Sequence, residues 1–257
     1  YLVYNWKRIM KRKVNTPPKI LFKYPCRGRE SIFFESLNSL DVNIRDKNNY
    51  LISITIDEDD VILNRPEVLQ KINSYSNVEV ALGTSKSKID AINRSMPQDY
   101  DWDIVICWSN DMFALTYGFD DIIRDCMLQK WSEDFDGIAH FPEPDSKEYL
   151  NVLYVATRAY YERFGYIYHP SYLSLFCDNE TMEVGKILGK YHFFWVNGLY
   201  EHRNPAYHQY GVVRDELFNE QQSHWGIDEA NFIKRKNKNF YLNEHPVIDN
   251  NGSDNKG

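Results

Sequence analysis

The stretch Trp102 to Met112, W-D-I-V-I-C-W-S-N-D-M, constrains the fold more than any other. An apolar run, Ile104 to Trp108, stops abruptly at Ser109-Asn110-Asp111. The run is β-branched and aromatic and has no helical period, which suits a strand buried on both faces. Strands of that kind belong to parallel α/β sheets, where ligands bind beyond the carboxyl ends of the strands. Breaking the strand with a carboxylate therefore sets Asp111 at a candidate ligand edge. A buried strand with a polar turn would read the same way, so the rest of the chain has to carry the functional argument.

Taken in order, the chain alternates strand and helix through its first half. Residues 1–18 form a basic extension ending in Thr16-Pro17-Pro18. A strand is expected over Ile20–Tyr24, followed by the basic loop Cys26-Arg27-Gly28-Arg29 and a helix over Ile32–Leu40 that Ser31 could cap. Leu51–Ile56 reads as a strand running into Asp57-Glu58-Asp59-Asp60, and Pro66 opens a helix through Ile72. Val78–Leu82 is the next strand, and Ser87 with Asp90 has capping-box spacing for a helix to Met96. Behind the opening stretch come a helix over Phe119–Gln129 and a strand over Gly137–Phe141 closed by Pro142 and Pro144. The alternation predicts an α/β fold with a mostly parallel central sheet flanked by helices. The second half is less regular. It offers a strand at Val152–Ala156, helices at Arg158–Phe164, from Asp178 to Leu188 and at Ile227–Arg235, a late strand at His192–Val196, and a polar tail over 246–257. The expected division is 19–145 for one ligand-binding half and 146–245 for the other.

Composition excludes more than it identifies. A formal charge of −7 argues against a surface wholly committed to nucleic acid, although Lys7 to Lys13 is locally basic. No apolar run approaches a membrane span and no secretory segment is evident, so a cytoplasmic setting is expected. The four cysteines lack C-x-x-C spacing and read as reduced thiols, and the seven histidines lack zinc-motif spacing. The absence of G-x-G-x-x-G after the first strand and of a P-loop string argues against dinucleotide oxidoreductases and P-loop enzymes.

Three polar clusters remain that follow strands or open helices: Asp57–Asp60, Lys88 with Asn93, and Ser109–Asp111. A doubly wound sheet gathers such positions into one crevice. Acids at one point and bases at another suit a diphosphate held jointly by cations and a divalent metal. Mg²⁺ and Mn²⁺ take oxygen ligands and commonly bind one or two carboxylates together with substrate phosphates. Asp111 is the natural carboxylate for that role.

In their order, P-x-R-G-R (Pro25–Arg29), I-D-E-D-D (Ile56–Asp60), S-K-I-D-A-I-N (Ser87–Asn93) and W-S-N-D-M (Trp108–Met112) resemble the nucleotide-sugar half of family 2-like GT-A fold glycosyltransferases. F-C-D-N-E (Phe176–Glu180), E-H-R-N-P (Glu201–Pro205) and W-G-I-D-E-A-N-F (Trp225–Phe232) look similar to the acceptor half. The resemblance covers roughly residues 19–240. It implies a single GT-A-type domain and an inverting transfer from a nucleotide-diphosphate sugar, UDP-linked in preference to GDP-linked, to an acceptor hydroxyl.

Carried over by position, the resemblance assigns Asp57 to the base, with Asp59 beside it, and Arg27 and Arg29 to the loop bordering the nucleotide. Lys88 and Asn93 would hold diphosphate or ribose. Asp111 matches the second acid of a D-x-D-type metal motif. Asn110 stands where members of this kind often carry an acid, and it contributes an oxygen without charge. His202, with His208 as substitute, corresponds to a late histidine that joins the metal, Mn²⁺ or Mg²⁺. Inversion needs a carboxylate to take the acceptor's proton. Asp178 and Glu180 are the candidates, and the pattern does not decide between them. Both also sit where a helix N-terminus favours acids for structural reasons. Tyr160, Tyr161, Tyr166, Tyr168 and Tyr172 could line an acceptor cleft or simply pack. The acceptor stays open among saccharide, protein and modified nucleic-acid bases. A non-catalytic nucleotide-sugar or glycan-binding module on the same scaffold is the alternative function, with Asn110 as its support.

Overall fold

The computed structural model describes residues 13–143, 149–205 and 214–244. Lys7 to Arg12, His208 and the 246–257 tail lie outside the described residues.

Seven strands form the main sheet: β1 (Ile20–Cys26), β2 (Tyr50–Asp57), β3 (Val78–Gly83), β4 (Ile104–Cys107), β6 (Ile138–His140), β7 (Val155–Thr157) and β8 (Tyr191–Phe193). Their spatial order is β3-β2-β1-β4-β7-β6-β8. β1 pairs in parallel with β2 and β4, β2 with β3, and β6 with β8, while β7 runs antiparallel between β4 and β6. All strands but β7 therefore end on the same edge. The expected mostly parallel sheet is present, and it takes strands from both of the expected halves.

Helices cover both faces, and side-chain alternation sorts the core between them. On one face Ile20, Phe22 and Tyr24 of β1 and Ile104 and Ile106 of β4 meet α1 (Glu30–Asn43), α2 (Pro66–Ile72) and α4 (Phe119–Lys130) through Phe33, Leu37, Val68, Phe119 and Ile123. On the other face Leu21, Val105 and Cys107 meet α3 (Lys88–Asn93), α5 (Arg158–Phe164) and α6 (Cys177–Ile187) through Ile89, Ile92, Tyr160 and Cys177. The continuous apolar run of β4 is apolar because both of its faces are covered, and each of its residues is buried.

Local differences from the sequence expectation have physical causes. Ser31 lies inside α1, whose N-cap is Arg29 in the left-handed region (φ 51°). The helix expected to reach Met96 stops at Asn93, because Arg94 turns to extended backbone. Ser87 does cap that helix, accepting from the Asp90 N–H. The last helix, α8 (Trp225–Lys236), is longer than expected, and α7 (Glu216–Ser223) precedes it. Two three-residue strands, β5 (Met112–Ala114) and β9 (Tyr200–His202), were too short to carry a pattern, and they pair antiparallel as a separate small sheet. Of the tyrosines offered for an acceptor cleft, Tyr160, Tyr168 and Tyr172 are buried, Tyr161 packs edge-on to Trp102, and Tyr166 stacks on Phe164. They are packing residues.

Candidate active site

The opening stretch builds a carboxylate turn. Asn110 and Asp111 form the turn between β4 and β5, closed by the Met112 N–H bonding to the Ser109 carbonyl at 3.1 Å. Ser36 of α1 fixes it from below. Its hydroxyl bonds to the Met112 carbonyl at 2.6 Å and receives the Trp108 indole N–H at 3.2 Å. Trp108 is itself wedged among Phe22, Phe119 and Tyr200. The side chain at the apex, Asp111, is 19% exposed and accepts a hydrogen bond from the Ser109 hydroxyl. Asn110 is buried beside it.

The small sheet then delivers the second group. In the β5–β9 ladder Met112 faces His202, and Asp111 precedes Met112. His202 Nε2 lies 3.3 Å from Asp111 Oδ2, while His202 Nδ1 lies 3.6 Å from Oε2 of Glu143, a fully buried residue just past β6. Burial pulls the imidazole down, but Asp111 first and then Glu143 outweigh it and push His202 up to about 10. Burial likewise opposes ionisation of Asp111, yet the His202 charge, with Lys88 and Ser109, holds that carboxyl well below the usual range.

Lys88, exposed at the start of α3, also acts electrostatically on Asp178 in the first turn of α6. Asp178 accepts from the Asn179 N–H at 2.9 Å. Burial raises its carboxyl above the ordinary aspartate value, and the Asn179 bond and the charges of Lys88 and His202 offset this only in part. A carboxylate tuned upward is better matched to accepting a proton near neutral pH.

The D-N-E string is thereby divided. Glu180 is buried and gripped by Arg235 through two bonds of 2.7 and 2.8 Å, with Tyr172 donating at 2.7 Å. Its oxygens brace α6 against α8, which sets Glu180 apart from the more open Asp178. Asn93 is engaged within the fold as well. Its carbonyl accepts from the Ile167 and Tyr168 N–H groups at 2.9 and 3.2 Å, and its NH₂ donates to the Tyr168 carbonyl at 2.6 Å. Those bonds occupy the amide with the loop that carries Ile167 and Tyr168.

The other end of the edge is a closed network. Asp57 Oδ1 accepts from Ser85 at 2.6 Å and Arg94 at 3.1 Å, and Oδ2 accepts from Arg27 at 3.0 Å. Arg27 grips Asp59 through bonds of 2.8 and 3.0 Å, which hold the Asp59 carboxyl below its usual range. The loop carrying Arg27 is shaped by Gly28, at φ +58°, whose N–H bonds to Asp60 at 2.7 Å. Asp60 also ties the Ile62 and Leu63 N–H groups at 2.9 Å. Arg29 is turned to Asp215 at the start of α7 by two bonds of 2.5 Å, which occupies the guanidinium expected to border the nucleotide.

Sequence reading missed Arg94, Ser85 and Glu143. Arg94 directly follows the S-K-I-D-A-I-N string, and its guanidinium lies over Gly83, where a Cβ would meet it at 2.8 Å. Glu143 had a visible signal, an acid between two prolines after a buried strand.

No group of three or more metal-binding side chains converges among the described residues. Asp111 and His202 nevertheless suit an ion that completes its shell with phosphate oxygens and water. A carboxylate oxygen and an imidazole nitrogen 3.3 Å apart at the ligand edge are the donor set such an ion would take.

No protein-family model and no curated protein matches the chain. Solved structures do. The chain is similar to S. aureus TarS 1-349 (TM-score 0.54, 10% identity, 73% of this chain and 61% of that one) and to S. aureus TarS (0.58, 12%, 73% and 37%). It is also similar to the mannosyltransferase PcManGT from Pyrobaculum calidifontis, solved with GDP-Man and Mn²⁺ (0.54, 13%, 75% and 60%). The chain thus spans less than two thirds of each of these proteins. The architecture they share with it is the GT-A fold. At these identities the likeness is one of fold. Among the described residues, no helix is long and apolar enough to cross a membrane.

Proposed function

We propose that the chain is an inverting glycosyltransferase that moves a sugar from a nucleotide diphosphate, UDP in preference to GDP, to an acceptor hydroxyl. The supporting observation is the convergence of Asp111, His202, Lys88 and Asp178 on the edge where the parallel strands end, beside the Arg27–Asp57–Arg94 network. Asp57, Arg94 and Ser85 supply acceptor and donor groups for a base. Asp111 and His202 would hold Mn²⁺ or Mg²⁺, with the imidazole nitrogen favouring Mn²⁺. The ion's chemistry there is to neutralise charge on the leaving diphosphate. Lys88 adds a second positive charge to the same oxygens.

In a single displacement the acceptor oxygen bonds to the anomeric carbon as the carbon–oxygen bond to phosphate breaks, and its electron pair leaves with the nucleoside diphosphate. The acceptor's proton passes to Asp178. The complex of the mannosyltransferase neighbour with GDP-Man and Mn²⁺ agrees with this class of donor.

The test is UDP or GDP release from a panel of nucleotide sugars with Mn²⁺, with and without Asp111→Ala. Release that depends on Asp111 supports the reading. Tight donor binding with no release under any acceptor would instead favour a non-catalytic binding module, the reading that the uncharged Asn110 supports.

A further inference from the structure

Glu143 combines two features that rarely coexist. It is 2% exposed, and neither carboxylate oxygen has a hydrogen-bond partner. A buried carboxylate left unpaired costs several kcal/mol, so a fold retains one where another group compensates it. The group facing it is His202, whose Nδ1 is also without a hydrogen bond and lies 3.6 Å from Glu143 Oε2. Asp111 occupies the opposite side of the same ring, at Nε2.

This arrangement has a chemical direction. An imidazole that offers its Nε2 lone pair to an ion carries its proton on Nδ1, and metal-bound histidines almost always donate that N–H to a carboxylate, carbonyl or water. Glu143 is the carboxylate placed to receive it. It reaches the ring from the main sheet, just past β6, whereas His202 belongs to β9 of the small sheet. The contact therefore also fixes one sheet's ligand against the other.

We propose that Glu143 is the positioning residue for His202. It accepts the Nδ1–H and holds the ring in the tautomer whose Nε2 faces Asp111, a role that rests on Asp111 and His202 being ion ligands. Glu143 touches neither donor nor acceptor in this scheme.

The test follows Mn²⁺ binding in the presence of UDP, by the electron paramagnetic resonance signal of free Mn²⁺. It compares wild type, Asp111→Asn, Glu143→Leu and Glu143→Gln. Asp111→Asn should lose most binding. Glu143→Leu should weaken it about 10–100-fold. Glu143→Gln, whose amide oxygen accepts the same N–H without charge, should weaken it less, and being isosteric it keeps the test open if the leucine variant folds poorly. With Mg²⁺ and UDP, the His202 ¹⁵N resonances should report an Nδ1-protonated ring in wild type and lose that single tautomer in Glu143→Leu.

Loss of Mn²⁺ in Asp111→Asn alongside wild-type binding in both Glu143 variants overturns the positioning role alone. Unchanged Mn²⁺ binding in Asp111→Asn removes the ion-ligand reading, and the positioning role with it.

Discussion

The two ends of the ligand edge are built on opposite principles. At the β1–β3 end the charges are tied to one another. Arg27 binds Asp57 and Asp59, Arg94 binds Asp57 and Ser85, and Asp60 closes three backbone N–H groups. At the β4–β6 end the groups are held in place but left under-bonded, with Lys88 exposed, Asp178 raised by burial, and Glu143 and His202 Nδ1 without hydrogen bonds. A saturated network recognises a ligand by a shape set beforehand. An under-bonded cluster keeps its charge available to whatever changes charge during reaction. Under the proposed function, recognition falls at one end and chemistry at the other.

The largest expected effect tests the chemical end. Asp178→Asn keeps the shape of the first turn of α6 but cannot take a proton. We expect kcat to fall about 10²–10⁴-fold, with donor affinity by calorimetry within a factor of about two. A variant that retained near-wild-type kcat would remove Asp178 as the base. The raised carboxyl also sets a direction for pH. Since the base works ionised, the acidic limb of the kcat profile should lie above the ordinary aspartate range and vanish in the variant.

Two positions on, Glu180→Gln should do the reverse. Its carboxylate compensates the buried Arg235 guanidinium, and breaking a buried pair by removing one partner costs about 3–5 kcal/mol. Thermal or urea unfolding should show most of that loss. Turnover per folded molecule should stay close to wild type, and a selective loss of kcat without a loss of stability would return Glu180 to the chemistry.

At the recognition end the effect is smaller and falls on binding. Arg94→Ala removes one of three donors to Asp57 and a bond of 2.8 Å to the Ile56 carbonyl. A hydrogen bond to a charged group is worth about 1.5–3 kcal/mol, so UDP affinity should drop roughly tenfold or somewhat more. Gly83→Ala should act in the same direction more weakly, since its new Cβ would meet the end of the flexible Arg94 side chain at 2.8 Å. Unchanged UDP affinity in both would detach the network from donor recognition.

The same contrast explains what could be read from the chain beforehand. The apolar run of β4 and the alternation of strand and helix are dictated by burial on two faces, and burial leaves its mark in local sequence. Asp57, Lys88 and Asp111 were legible because each ends or opens such an element. The pairing of Asp111 with His202 came only through the family resemblance and not from the local pattern, because it depends on β5 and β9, each three residues long and far apart in the chain. The division of Asp178 from Glu180 was equally hidden. It is decided by Arg235, 55 residues downstream, and no property of the D-N-E string foretells that partner.

The smallest expected effect concerns an exception within the saturated end. Lys23 is fully buried in β1, and its ammonium donates to the neutral Thr55 hydroxyl, while the hydroxyl of Ser53, its register partner in β2, is buried and unpartnered. Burial first, and then the Arg94 charge, bring Lys23 down to about 8. The unfolded chain, with an ordinary lysine near 10.4, binds this proton more tightly, so stability should rise with pH between about 8 and 10.4, and the full cost is present below that window. That cost is about 3 kcal/mol, and Lys23→Met, of similar length and without charge, should recover roughly 1–3 kcal/mol of it at pH 7. Urea unfolding of both proteins at pH 7 and pH 10.5 reads the sign directly: the variant should lead at the lower pH and lose its advantage at the higher. If the two proteins differed equally at both pH values, the lysine's charge would not be the source, and the donor end would hold no uncompensated charge at all.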